Sequence, residues 1–423
     1  MSETVKMSDK QIEYLNLTAE LMTIRKRGEV PLAYIRTYGC QQNVADSERM
    51  KGMLRVAGYS FTEDVEEADF ILFNTCAVRE HAEDRVFGNV GALKKLKRRH
   101  PQILIALCGC MMEQEHVAKR IHDSFPFVGL VFGTHCMHEF PELLYKSLVD
   151  GSRVFVRDND DKKVYEGIPA YRDGKFKGWL PIMYGCDNFC TYCIVPYVRG
   201  RERSRDPKEI VEEVRRLAAD GVVEIMLLGQ NVNSYGKGLP EPVSFAKLLR
   251  MVSEVDGIER IRFMTSHPKD LSQELIDAMA ALPKVCKHLH LPVQSGSSRI
   301  LKQMNRHYTK ESYLDLVRRL REAIPDISLT TDIIVGFPGE TEEDHAETLR
   351  FLERCAFAEL HVFPYSRRPG TPADRMPEQL TAAVNTGSLS NLPLTFGSGL
   401  GFRLHRAEDE LPLFLTAGLS GRF

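Results

Sequence analysis

From Pro31 to about Phe363 the chain alternates short apolar runs with amphipathic stretches, and that alternation restricts the fold class more than any other feature. In the first part, strands are expected near Leu32 to Thr37, Asp69 to Asn74, Ile103 to Leu107 and Val128 to Phe132, separated by helical patterns such as Val44 to Ala57 and Glu80 to Arg98. Such alternation reads as an α/β domain with a parallel sheet and helices on both faces. A charged, glycine-bearing connection follows, with a turn expected at Asp158 to Lys163 between a short strand pair. A second series then repeats the strand and helix unit six times, with strands near Leu180 to Tyr184, Glu224 to Leu228, Arg260 to Thr265, His288 to Leu291, Ser328 to Val335 and Glu359 to Phe363. Helix starts are marked by Asp206 before Pro207 and by Thr341 with Asp344 as a capping box. Six units are too few for a closed eight-stranded barrel. Residues 1–30 are polar, with a helix expected from Ser8 to Arg27.

Directly after the first strand of the second series comes Gly185-Cys186-Asp187-Asn188-Phe189-Cys190-Thr191-Tyr192-Cys193. Three thiols on one short loop point to a metal or cluster site. A zinc knuckle is one reading, although zinc sites usually pair two C-x-x-C hooks and want a fourth ligand. The other is a four-iron cluster held at three irons, which leaves the fourth open to an exchangeable ligand.

Three further cysteines follow strands of the first series: Cys40 in Tyr38-Gly39-Cys40-Gln41-Gln42-Asn43, Cys76 in Asn74-Thr75-Cys76-Ala77-Val78-Arg79, and Cys110 in Cys108-Gly109-Cys110. Parallel sheets bind ligands at the carboxyl ends of their strands, so these thiols are expected to converge. Any one of them alone would be an ordinary buried cysteine; the repetition at equivalent strand ends is the signal. Cys108, Cys136, Cys286 and Cys355 read as packing residues. Ten cysteines, no signal peptide and no apolar run long enough to span a bilayer suggest a reducing, cytoplasmic setting with no membrane partner. The net charge of −2 hides two basic clusters, Lys94 to His100 and Arg199 to Arg205, each read as a solvated surface more readily than as a phosphate site.

The cysteine loop and the following Ile194-Val195-Pro196-Tyr197-Val198-Arg199-Gly200-Arg201-Glu202 resemble the radical S-adenosylmethionine (SAM) superfamily, and within it the methylthiotransferases. The segments around Cys40, Cys76 and Cys110 resemble the amino-terminal domain of the same family. The resemblance implies a parallel-sheet α/β domain followed by a partial (β/α)6 barrel with a wide lateral opening. It implies two 4Fe-4S clusters, one on Cys186, Cys190 and Cys193, where SAM would be cleaved to a 5′-deoxyadenosyl radical, and an auxiliary one on Cys40, Cys76 and Cys110. It also places SAM contacts at Gln230 and Asn231 (the amine), at Ser266, Gln294 and the backbone of Ile333, Val335 and Gly336 (ribose, carboxylate and adenine), and at Tyr192 (the adenine ring). Arg306 is a carboxylate or phosphate partner in this scheme, and His267 reads as structural.

The implied activity is addition of a methylthio group to carbon 2 of a prenylated adenosine beside the tRNA anticodon. An electron donor such as flavodoxin or ferredoxin is implied, and a monomer is expected. The alternatives are the same chemistry on threonylcarbamoyl-adenosine or on a ribosomal protein, and a non-catalytic iron–sulfur or RNA-binding regulator. The expected organisation is an extension at 1–30, the auxiliary domain at 31–150, a linker at 151–178, the barrel at 179–376 and an atypical tail at 377–423. The resemblance stops near Pro377. From Asn385 onward there is no lysine and no strand-turn periodicity of a five-stranded RNA-binding barrel, so weak tRNA binding is expected.

Overall fold

The computed structural model describes residues 3–77, 80–157, 163–172, 174–380, 401–405 and 414–418. The chain forms two compact units: residues 1–187, 194–228 and 237–242 in the first, and residues 188–193, 229–236 and 243–423 in the second.

The first unit is built on a six-stranded, all-parallel sheet in the order Ser60–Phe61, Leu32–Thr37, Phe70–Thr75, Leu104–Gly109, Leu130–Phe132, Val154–Val156. Its central strands are buried on both faces, which is why they read as continuous apolar runs. Phe70 and Leu72 enter one core with Met50, Met53, Phe132 and Phe140; Ile71 and Phe73 enter the other with Val86, Val90, Ile105 and Ile121. The helices Gln41–Val56 and Glu80–Arg99 lie within two or three residues of the expected spans.

The amino-terminal segment is not a free extension. Helix Asp9–Arg25, capped by Ser8, places Leu15 and Met22 in the first core, and Lys26 pairs with Asp69 at 3.0 Å. A strand that the sequence did not reveal, Glu3–Lys6, pairs in parallel with Lys163–Glu166. The expected hairpin is therefore replaced: Val154–Val156 joins the sheet edge, Lys163–Glu166 takes the amino-terminal strand, and most of the turn between them lies outside the described residues. The first unit also holds two strands of the second series, Lys177–Pro181 and Glu224–Leu228, paired in parallel and joined through helix Pro207–Ala219. The first of these starts earlier than expected, and Met183–Tyr184 turns instead to pair antiparallel with Arg203–Ser204.

In the second unit, His288–His290, Ser328–Val335 and Glu359–Pro364 form successive parallel pairs, and Arg260–Phe263 is tied to Val285 by a bridge from Ile261. Helices Gln273–Ala281, Lys310–Ala323 and Glu342–Cys355 supply the crossovers, the last with the Thr341 and Asp344 capping box intact. In the tail, Gly401–His405 and Phe414–Gly418 pair antiparallel and extend this sheet beyond Glu359–Pro364, two strands for which the sequence carried no signal. The stretch at Asn385 and most of the remaining tail lie outside the described residues.

Candidate cluster and SAM site

Cys40, Cys76 and Cys110 come together in the first unit. Each follows a neighbouring strand of the sheet, and both Cys40 and Cys76 lie close enough to Cys110 to act on it electrostatically. The loops leave no spare room. A Cβ on Gly39 would stand 2.5 Å from the Cys76 Cβ, and one on Gly109 would stand 2.4 Å from the Thr75 carbonyl oxygen. Both glycines hold positive φ, at 111° and 95°, so each cysteine-bearing turn needs glycine twice over. Asn43 and Asn74 lock the turns together: the Asn43 amide donates to the Thr75 carbonyl at 2.8 Å, and the Asn74 amide donates to the Asn43 carbonyl at 2.8 Å.

A buried guanidinium faces these thiols. Arg199 places Nε 3.1 Å from Cys110 Sγ, and its Nη2 donates to Asp46 Oδ2 at 2.9 Å and to Asn43 Oδ1 at 3.3 Å. Burial pushes the Cys110 thiol up to about 12, with Arg199 pulling in the opposite direction. Arg199, Asn43 and Asp46 were not singled out as site residues from the sequence. The available signal was the spacing Cys40, Asn43, Asp46, which puts the three on one side of a helix start.

Most of the Arg199 to Arg205 cluster is therefore not a solvated surface: Arg199, Arg203 and Arg205 are buried, whereas Arg201 is exposed and pairs with Asp187 at 3.0 Å. Arg205 donates to Glu166 and Glu213 at 2.5 and 2.7 Å. In the other basic run, Lys97 donates to the Pro101 and Ile103 carbonyls, and Arg99 pairs with Glu66.

Along the second cysteine loop, Cys186 and Cys190 are buried and Cys193 is half-buried. The Cys186 N–H donates to the Gly200 carbonyl at 3.1 Å. In the second unit, Thr191 N–H donates to the Met304 carbonyl at 3.1 Å, and Asn305 donates to the Phe189 carbonyl at 3.0 Å. Arg306 places Nη1 3.4 Å from both Cys190 Sγ and the Tyr192 hydroxyl, while Nε donates to the Tyr308 hydroxyl and Nη2 to the Pro292 carbonyl. It is thus engaged by the loop itself, not held out for a substrate carboxylate. Tyr192 packs beside Ile300, Met304 and Phe337.

The expected SAM contacts divide into two groups. Gln230 Oε1 and Ser266 Oγ are buried and have no hydrogen-bond partner among the described residues, the condition expected of groups awaiting a polar ligand. Asn231, by contrast, is engaged at both ends: its amide donates to Asp270 at 2.8 Å and its oxygen accepts from the His267 N–H at 3.1 Å. His267 Nδ1 accepts from the Lys269 N–H, as a structural histidine would. The Val335 carbonyl accepts from Tyr365 N–H, and Gln294 is bridged to Ile333 through paired backbone bonds with Asp332 and Ile334. Phe189, Thr265, Gln294, Asn305 and His307 all carry positive φ, a concentration of backbone strain in the loops of this region.

Two family profiles match the chain: the Radical SAM superfamily over residues 180–352 and Uncharacterized protein family UPF0004 over residues 32–133. The tRNA-2-methylthio-N(6)-dimethylallyladenosine synthase of Caldicellulosiruptor saccharolyticus is 58% identical over 359 residues, 85% of this chain and 76% of that protein. Its namesake from Thermoanaerobacter is 52% identical over 392 residues, 93% of this chain and 83% of that protein. Among solved structures, the radical SAM methyltransferase TsrM from Kitasatospora setae aligns with a TM-score of 0.59 at 15% identity, over 81% of this chain and 75% of that one. The cobalamin-dependent radical SAM enzyme OxsB aligns at 0.56 and 12%, over 86% and 56%. Fold and loop together define a radical SAM α/β protein. More narrowly, the chain belongs to the family of the tRNA-2-methylthio-N(6)-dimethylallyladenosine synthases.

Proposed function

We infer that this chain is a radical SAM methylthiotransferase that adds a methylthio group to carbon 2 of a prenylated adenosine in the tRNA anticodon loop. The convergence of Cys40 and Cys76 on Cys110, with a buried guanidinium against the Cys110 sulfur, is the observation that carries this reading beyond family membership. Three neighbouring thiols with a cation against one of them suit a negatively charged, thiolate-held group such as an iron–sulfur cluster, and Cys186, Cys190 and Cys193 offer a second donor set of the same chemistry. The relatives' names favour the prenylated adenosine, and nothing in them supports threonylcarbamoyl-adenosine, a ribosomal protein or a regulatory role.

Two four-iron clusters and SAM, when bound, supply one-electron cleavage of SAM and a source of sulfur, which an unactivated carbon–hydrogen bond requires because no acid or base near neutral pH removes that proton. The residues of the chain bind and orient. Arg199 places positive charge against Cys110 and, held by Asp46, stays there when the site fills. Arg306 does the same at Cys190. Gln230 and Ser266 offer unpartnered oxygens to SAM, while Asn231 fixes the loop that carries Gln230 by holding Asp270 and the His267 backbone.

The electron donor we propose is a small one-electron carrier of the flavodoxin or ferredoxin class, with the chain acting as a cytoplasmic monomer. Among the described residues no helix is long and apolar enough to cross a membrane. The test is direct: anaerobically reconstituted protein, reduced and given SAM and prenylated but unthiolated tRNA, should yield 5′-deoxyadenosine and methylthiolated nucleoside by mass spectrometry. SAM cleavage without nucleoside change would overturn the substrate assignment, and no cleavage would overturn the class.

A further inference from the structure

Three metal-ligating side chains outside the cysteine sites meet on neighbouring strands of the second unit. In the parallel register His290 lies opposite Thr330, and Asp332 lies opposite His361. Thr330 and Asp332 are two residues apart on one strand and so share a face, which puts His290, Asp332 and His361 on the same side of the sheet. Each offers one ligand atom, and all three atoms lie within 4.8 Å of one another.

The spacing suits an ion. Zinc bonds of about 2.0–2.2 Å set neighbouring tetrahedral ligands about 3.3–3.6 Å apart. His290 Nε2 stands 3.4 Å from Asp332 Oδ2. The second ring nitrogen is anchored in the manner of a ligating histidine: His290 Nδ1 is 3.0 Å from Thr330 Oγ1, so a proton on Nδ1 leaves the Nε2 lone pair facing Asp332. Thr330 Oγ1 is in turn 3.3 Å from His288 Nε2, which can accept its hydroxyl proton. Glu359 Oε1, 4.0 Å from His361 Nδ1, adds negative potential on the far side, while Arg262 acts on His288 and is the opposing cation. His290 is buried, and Asp332 and His361 are half-buried, so the group is enclosed but open to entry.

We propose that His290, Asp332 and His361 form a site for one divalent transition-metal ion of the zinc class, tying three adjacent strands together and leaving a fourth coordination position for water or a small ligand. This site shares no residue with the cysteine sets and does not depend on their assignment. Its chemistry differs as well, since imidazole and carboxylate donors give no sulfur signature.

Cobalt(II) is the probe, titrated into the full chain after its cysteines have been loaded with iron and sulfide. The expected result is one additional equivalent with visible d–d absorption and no sulfur-to-cobalt charge transfer, displaced by zinc. His361→Gln and Asp332→Asn, which keep size and hydrogen bonding, should each weaken that binding at least tenfold. As a second readout, wild type should melt at a higher temperature with zinc than without, and both variants should lose that increment. Absence of the sulfur-free cobalt spectrum in wild type, or cobalt and zinc responses in both variants equal to wild type, would overturn the site and leave a metal-free His290–Asp332 ion pair.

Discussion

The two cysteine sets show how differently one kind of chemistry is built. Cys186, Cys190 and Cys193 sit within eight consecutive residues of one loop. Cys40, Cys76 and Cys110 span 71 positions, and only the parallel order of Leu32–Thr37, Phe70–Thr75 and Leu104–Gly109 brings them together. Each set has a buried arginine against one sulfur, but the arginines are held differently. Arg199 is paired with the carboxylate of Asp46, whereas Arg306 is held by neutral groups, the hydroxyls of Tyr192 and Tyr308 and the Pro292 carbonyl. The dispersed set is thus braced by a buried charged pair, and the local loop by a guanidinium on uncharged partners.

Replacing those arginines by methionine should separate the two designs. Arg199→Met leaves Asp46 buried without its cation and should destabilise the chain by about 3–5 kcal/mol, measured by denaturant unfolding, with loss of iron from the Cys40 set. Arg306→Met leaves no buried carboxylate unpaired, removing the bond to the Pro292 carbonyl and the contact with Cys190, and should cost about 1–3 kcal/mol. Equal losses would remove the distinction.

Glu340 sharpens the contrast on the second unit's side. Burial raises its carboxyl from 4.5 to about 7, although the Gly336 and Phe337 N–H groups pull it down. A raised acid holds its proton more tightly folded than unfolded, so its contribution is full below pH 4.5 and declines as pH rises to about 7. Wild type should therefore lose on the order of 2–4 kcal/mol relative to Glu340→Gln across that window. Parallel pH profiles of the two proteins would contradict it.

The last effects expected are at the proposed SAM contacts. Gln230→Ala should weaken SAM binding by about 1–3 kcal/mol in calorimetry without changing the melting temperature. Asn231→Ala should lower the melting temperature as well, because its partners are Asp270 and the His267 backbone. Identical behaviour of the two variants would return both residues to a purely structural role.

What was legible in the sequence follows from the same physics. Strands such as Glu224–Leu228 and Ser328–Val335 were read to the residue, because the first is an apolar run behind one charged residue and the second is dominated by β-branched residues. The approach of Cys40 and Cys76 to Cys110 was legible because strand ends are a sequence property. Glu3–Lys6 was not, since a short polar strand acquires its identity only from a partner some 160 residues away, Lys163–Glu166. Arg199, Arg203 and Arg205 were misread as solvated because a charge run has no periodic mark of burial; Asp46, Glu166 and Glu213, which make burial tolerable, are distant in sequence or on other elements. Asn231 was placed at SAM by the resemblance alone; its contacts with Asp270 and the His267 N–H are set by folding and have no mark in the sequence.

Iron content tests most directly whether two separate thiol sets each hold a four-iron cluster. Wild type reconstituted without oxygen should carry about eight irons. The triple alanine variant at Cys186, Cys190 and Cys193 should carry about four and cleave no SAM, and the triple variant at Cys40, Cys76 and Cys110 should carry about four and still cleave it. Iron content unchanged from wild type in either triple variant would contradict the claim for that set.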